Sequence, residues 1–214
     1  MSPVTTTEAD SLVSQASHLH AAGQTYQALV RLEAALGLEP ANIFALLLRG
    51  RIAVEQRDAA AALPRLRAVL RQQPQCAPAL ADLAQALWLA GQPTDGLDPA
   101  RRAVELDPGN AQFRLNLAQL CVWLGRGDEA RTILAPLLAD EGSTPPMRAR
   151  ARGMLAIDLV MQGDFQAADR VFAAAVAEGP DAAGLVRAYG LNLLRLGRLA
   201  EGWPLIREPV APWS

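Results

Sequence analysis

Prolines recur at a fixed spacing of 34 residues along much of this chain. Pro40, Pro74 and Pro108 form one series, and Pro146 and Pro180 form a second series that is offset by four residues. A period of this length is typical of a two-helix repeat that stacks on its neighbours into an α-solenoid. In such a fold each repeat contacts only the repeats beside it, so function depends largely on what the shared surface binds.

The residues between the prolines follow the same period. If each proline is position 32, the repeats run 9–42, 43–76, 77–110, 111–144, 149–182 and, in part, 183–206, between a flexible segment 1–8 and an irregular tail 207–214. Positions 8 and 20 are always alanine or glycine, which predicts closely packed antiparallel helices, while position 24 is mostly large and fills the space beside them. We count one domain. The residues at positions 8 and 20 are Ala16, Gly50, Ala84, Ala118, Ala156 and Gly190, and Ala28, Ala62, Gly96, Ala130, Ala168 and Gly202.

Turns between the paired helices are marked at position 15. Five of the six repeats have glycine there, and Arg57 is the exception. Glycine supplies a left-handed turn at no steric cost. Prolines also fall within the predicted second helices, and Asp98 followed by Pro99 favours a helix that begins late, with Asp98 as its N-cap.

This combined pattern resembles the tetratricopeptide repeat family over roughly residues 9–206. The resemblance implies an all-α, right-handed solenoid of about five and a half helix-turn-helix repeats. It also implies a binding scaffold whose first helices line a concave groove. The chain has no lysine, so the lysine and asparagine clamp with which some members grip a terminal carboxylate is not expected.

The family's groove positions, carried over to this chain, predict an apolar and aromatic surface for a partner protein or peptide. Tryptophan and arginine are also the residue types that most often dominate binding energy. Trp88 and Trp123 could equally pack between repeats, and half of an indole can do so while the other half stays available. The predicted partner-binding residues are Phe44, Leu47, Arg51, Val54, Gln85, Trp88, Leu89, Leu115, Asn116, Gln119, Val122, Trp123, Ile157 and Met161.

Composition and motifs give no sign of other chemistry. The net charge of −2 does not favour nucleic acid, and no stretch has the roughly 18 apolar residues of a membrane span. Cys76 and Cys121 fit no disulfide framework or zinc pattern, and His18 and His20 point in different directions on a helix. We therefore expect no catalysis, cofactor or metal ion, and a cytoplasmic setting. All 20 basic residues are arginine, which indicates a GC-rich bacterial genome.

Two alternatives to a free-standing scaffold stay open. The segment 197–207 is similar to the end of the repeat array in bacterial tetratricopeptide-linked glycosyltransferases, although Ile206 replaces the usual aromatic residue. That resemblance implies a substrate-recruiting arm with a catalytic domain beyond Ser214. The second alternative is self-assembly into a homo-oligomer through the apolar groove or the uncapped last repeat.

Overall fold

A computed structural model describes residues 8–140, 142–179 and 183–207 of the chain. Over these ranges the backbone forms twelve α-helices and no strand, which confirms the all-α class. The predicted flexible segment 1–8 and irregular tail 207–214 fall mostly on residues 1–7 and 208–214, which lie outside the described residues. The helices are α1 (Glu8–Ala21), α2 (Thr25–Leu38), α3 (Ile43–Glu55), α4 (Ala59–Gln72), α5 (Ala77–Leu89), α6 (Pro93–Leu106), α7 (Ala111–Trp123), α8 (Gly127–Ala139), α9 (Pro145–Met161), α10 (Phe165–Glu178), α11 (Ala183–Arg195) and α12 (Leu199–Ile206).

Consecutive helices pack as pairs, and the chain divides into two compact units, Met1–Asp107 and Pro108–Ser214. The N-terminal unit holds α1 to α6 and the C-terminal unit holds α7 to α12. Within each unit the first helices of successive pairs also contact one another: α1 with α3 and α3 with α5, then α7 with α9 and α9 with α11. The first helices of each unit therefore share a face, which is where the repeat pattern places a binding surface.

The small residues at positions 8 and 20 are all buried, as predicted. A Cβ added to Gly50 would lie 2.8 Å from Cδ2 of Leu66, and one added to Gly202 would lie 2.8 Å from the carbonyl oxygen of Gly190. Real Cβ atoms do not approach that closely, so these pairs of helices depend on the missing side chains. The large position-24 residues Leu32, Leu134 and Phe172 are also fully or almost fully buried beside them.

Each turn within a pair contains a residue in the left-handed region. The position-15 glycines have φ between 70° and 83°, which confirms their predicted role. Arg57 has φ 61° and is the only non-glycine residue of the described chain with a positive φ. An arginine in this conformation is strained by its Cβ, so the surrounding structure must hold it there.

The late start predicted for α6 is wrong. The helix begins at Pro93, which fits the first helical position as well as Pro99 does, and it continues through Pro99. Proline also lies inside α4, α8 and α12, at Pro64, Pro136 and Pro204. In all four cases the residue four positions earlier, whose carbonyl loses its helical partner, is exposed, so water can replace the missing bond.

Candidate functional site

A pocket of about 250 Å³ lies between α7 and α9 in the C-terminal unit, and we call it the α7–α9 pocket. Three of its lining residues, Gln119, Val122 and Trp123, come from α7, and Arg150, Met154 and Ile157 come from α9. Among these lining residues Val122 is buried, whereas Trp123 is 57% exposed and Ile157 is 37% exposed. Met161, one turn beyond Ile157 on α9, is 52% exposed. Apolar surface is therefore available to a ligand on both helices.

A hydrogen-bonded chain of polar side chains holds one end of this pocket. Arg150 Nη1 donates to Gln112 Oε1 at 2.8 Å, and Gln112 Nε2 donates to Asn116 Oδ1 at 2.6 Å. Asn116 is buried, so these contacts anchor the arginine to α7. Burial of the guanidinium lowers the pKa of Arg150, although an arginine so placed remains charged at neutral pH.

The N-terminal unit has its own groove, of about 480 Å³, between α1 and α3. Among the predicted residues, Phe44, Leu47 and Arg51 line it, and Phe44 is 66% exposed. Arg51 is committed to an ion pair with Asp82 of α5, with Nε 3.1 Å from Oδ2. Val13, which the family's groove positions also predict, lines it too, and the remaining lining residues are Asp10, Ser14, Ser17 and Leu48.

The predicted residues of α5 are all only partly exposed, unlike Phe44 of α3. Leu89 packs against a hydrophobic cluster that includes Leu83 and Leu87. Trp88 is half-buried, and the guanidinium carbon of Arg57 lies 5.8 Å from the centre of its ring. Gln85 is also half-buried.

Four predicted residues are buried, and of these only Val122 lines the α7–α9 pocket. They are Val54, Leu115, Asn116 and Val122, which face the interior of their own units. These residues are buried because each first helix packs against its paired second helix and against neighbouring first helices, so only part of its surface is exposed. We therefore exclude Val54 and Leu115 from the proposed surface and keep Val122 and Asn116 as its support.

Sequence reasoning did not place two of the pocket's lining residues in the groove. For Arg148, Arg150 and Arg152 the residue pattern favours a solvated helix start over contact with an anionic partner, and it does not assign Met154 to the groove. The signal was present in the repeat register, because Arg150 occupies position 2 of its repeat, the same position as Phe44. Both side chains lie at the edge of a pocket between first helices.

The candidate chemical groups of the sequence have ordinary structural surroundings. His20 Nε2 lies 3.1 Å from Glu55 Oε2, His18 is exposed, and Cys121 is buried. Within residues 8–140, 142–179 and 183–207, no three His, Cys, Asp or Glu side chains gather as metal ligands would. No helix in the same ranges is long and apolar enough to cross a bilayer.

The helix pairs, the left-handed turns and the small residues at their contacts define a repeat protein of paired helices. Tetratricopeptide repeat family models match residues 89–155 in one case and residues 47–111 and 153–207 in the other. The chain therefore belongs to the tetratricopeptide repeat family, whose members in general act as non-catalytic protein-binding scaffolds. No curated protein sequence matches the chain.

Solved structures of repeat proteins share this fold at low sequence identity. The type IV pilus biogenesis factor PilW aligns with a TM-score of 0.75 at 21% identity, over 92% of this chain and 90% of its own. TTC0263, a tetratricopeptide repeat protein of Thermus thermophilus, gives 0.67 at 23% identity, over 87% and 99% of the two chains. YrrB, a tetratricopeptide repeat protein with an unusual peptide-binding site, gives 0.64 at 20% identity, over 90% and 93%. These likenesses show the fold alone.

Proposed function

We propose that this protein is a non-catalytic scaffold that captures an extended or helical segment of a partner protein in the α7–α9 pocket. The observation that carries the proposal is the exposure of Trp123, Ile157 and Met161 around a preformed pocket between two first helices. Exposed apolar side chains that form a contiguous patch are typical of an interaction site.

The size of the pocket favours a protein segment over a small cofactor. Small-molecule sites usually measure about 300–1,000 Å³, and this pocket holds about 250 Å³. Its lining is apolar apart from Gln119 and Arg150, so it suits one or two apolar side chains projecting from a longer chain. YrrB, which has the same fold, contains a peptide-binding site. This precedent supports the proposal that the ligand of this chain is also a peptide or protein segment.

The available apolar area sets the expected affinity. A tryptophan can bury about 200 Å², so covering the exposed half of Trp123 at about 25 cal/mol per Å² contributes roughly 2 to 3 kcal/mol. Ile157 and Met161 add smaller amounts. Much of this gain is offset by the loss of translational and rotational freedom on association, so we expect affinities in the micromolar range.

The test begins with a probe, because the natural partner is not identified. A displayed library of random peptides is selected on the full chain, and the enriched peptide is labelled for fluorescence anisotropy. Trp123→Ala should weaken its binding at least tenfold, a change of about 1.4 kcal/mol. The matched control is Trp203→Ala, because Trp203 of α12 is exposed to a similar extent, 52%, and lies in the same unit.

Two results would contradict the proposal. One is a library that yields no peptide, and the other is an enriched peptide that binds Trp123→Ala and the parent chain equally well. A circular-dichroism spectrum for each variant checks that its helices remain intact. The glycosyltransferase arm and self-assembly remain predictions from the sequence, and the pocket favours neither of them.

A further inference from the structure

Arg148, Arg150 and Arg152 lie in the first two turns of α9, and of these three only Arg150 lines the α7–α9 pocket. Arg148 and Arg152 both bind Glu178 of α10, with Arg148 Nε 3.4 Å from Glu178 Oε1 and Arg152 paired with Oε2. Their charges are therefore compensated within the fold. Arg148 and Arg152 therefore stabilise the contact with α10, whereas Arg150, which lies between them in the sequence, lines the α7–α9 pocket.

The charge of Arg150 has no acidic partner among the residues that the structure describes. Its hydrogen bond goes to the neutral side chain of Gln112. The other lining residues are Gln119, Val122, Trp123, Met154 and Ile157, and none of them is acidic. Arg150 is exposed, and a cation at the edge of an apolar pocket favours a ligand that carries the opposite charge.

Arg150 also occupies one end of a stripe on α9. Met154, Ile157 and Met161 follow it at spacings of four, three and four residues, which places all four side chains on one side of the helix. The stripe covers about three turns, or roughly 16 Å. Charge lies at the N-terminal end of the stripe and apolar surface along the rest, so the stripe gives a bound segment a direction.

We propose that the captured segment carries an aspartate or glutamate side chain that pairs with Arg150, next to apolar residues that cover Met154, Ile157 and Met161. This inference rests on the proposed function and adds to it the chemistry of the ligand. An internal acidic side chain is favoured over a terminal carboxylate because α9 extends more than a turn beyond Arg150, to Pro145, so the bound chain has room to continue.

The test uses the peptide enriched on the full chain and a double-mutant cycle. The peptide should contain an acidic residue, and its replacement by glutamine or asparagine should weaken binding about three- to tenfold. Arg150→Gln should weaken binding of the parent peptide by a similar factor. The two changes together should reduce the affinity no more than either change alone. Arg150→Lys should retain part of the affinity, and added salt should reduce the effect because the pair lies near solvent.

Matched controls separate the outcomes. Arg170→Gln alters an exposed arginine of α10, away from the pocket, and should leave the affinity unchanged. Amidating the peptide's C-terminus should also have no effect. A loss of affinity on amidation would show that the terminal carboxylate, and not an acidic side chain, pairs with Arg150, and it would overturn the inference. Enriched peptides without an acidic residue, or equal binding to Arg150→Gln and the parent chain, would overturn it as well. If Trp123→Ala still weakens binding in those cases, the proposed function stands while this inference fails.

Discussion

The guanidinium of Arg57 lies over the indole of Trp88, with Cζ 5.8 Å from the ring centre, while the Arg57 backbone adopts φ 61°. The turn that contains Arg57 joins α3 to α4, and Trp88 lies on α5 of the next pair. The contact therefore links neighbouring repeats at the one turn within a described helix pair where glycine is absent. A cation–π interaction contributes about 0.5–1 kcal/mol at such a site, which offsets part of the backbone strain.

Substitutions at Arg57 should reverse the usual order of alanine and glycine. Arg57→Ala loses the contact with Trp88 but keeps a Cβ in the left-handed region, so we expect it to be less stable by about 0.5–1 kcal/mol. Arg57→Gly loses the same contact but also relieves strain of about 1 kcal/mol, so it should lie close to the parent chain. Urea unfolding midpoints measure both. Greater stability for Arg57→Ala than for Arg57→Gly would contradict the strained turn.

A second prediction concerns Gly127, the first residue of α8. A Cβ at this position would overlap the carboxylate of Asp158, which is buried on α9, paired with Arg131 and hydrogen-bonded to Gln162. Gly127→Ala must therefore displace a buried charge from its partners, and we expect a loss of roughly 2 to 4 kcal/mol.

Gly37→Ala is the matched control for Gly127→Ala. Gly37 lies in α2, and a Cβ there would meet nothing within 4 Å. Alanine should raise stability by about 0.5–1 kcal/mol because it restricts the unfolded chain. Equal effects of the two substitutions on the free energy of unfolding would show that the contact with Asp158 is not required.

Glu178 should stabilise the fold only above acidic pH. Its pKa is lowered, first by the hydrogen bond from Arg152 and then by Arg148. Because the folded pKa lies below the unfolded value of about 4.3, its contribution is present above that value and is lost as the pH falls through the folded pKa. Glu178→Gln should therefore be less stable than the parent chain at neutral pH, and the difference should disappear in acid. A difference that persists at low pH would contradict the ion-pair explanation.

Asp82 should show the opposite dependence. Burial raises the pKa of this carboxyl group, and Arg51 opposes the rise only in part. A raised folded pKa means that the contribution is full below the unfolded value of about 3.9 and is lost as the pH rises through the folded pKa. As the pH rises through the folded pKa of Asp82, Asp82→Asn should become more stable relative to the parent chain. The half-exposed side chain of Arg51 can be hydrated when its partner is neutral. Urea midpoints across a pH series measure both variants, and the same slope for Asp82→Asn as for Glu178→Gln would contradict this account.

The sequence predicted the paired helices because their determinants are local and periodic. Small residues such as Gly50 and Ala84 can be read directly from the 34-residue spacing, and the burial of both residues follows from that spacing. The start of α6 was not predictable in the same way, because Pro93 and Pro99 both suit a first helical turn. A proline inside a helix leaves the carbonyl four residues earlier without a hydrogen bond. Whether water can reach that carbonyl depends on the packing of the helix, which the sequence alone does not show.

The site was predicted less completely than the fold. Register placed Trp123 and Ile157 at an exposed face, but it could not show that Leu115 is fully buried, because that depends on how closely the neighbouring helices approach. The repeat register also gives Arg150 the same position as Phe44, yet its role depends on which residue pairs with Arg148 and Arg152. Glu178 lies on another helix, so this division among three arginines is a tertiary effect.

The most direct test of the central claim is to locate the bound segment by photo-crosslinking. A benzophenone side chain replaces Met161 in one variant and Leu199 in another, since both residues are exposed on helices of the C-terminal unit but only Met161 adjoins the α7–α9 pocket. Each variant is irradiated with the enriched peptide, and mass spectrometry identifies the crosslinked product. We predict a crosslink from position 161, suppressed by an excess of unlabelled peptide, and none above background from position 199. Crosslinking from position 199 alone, or equally from both positions, would contradict binding at the α7–α9 pocket.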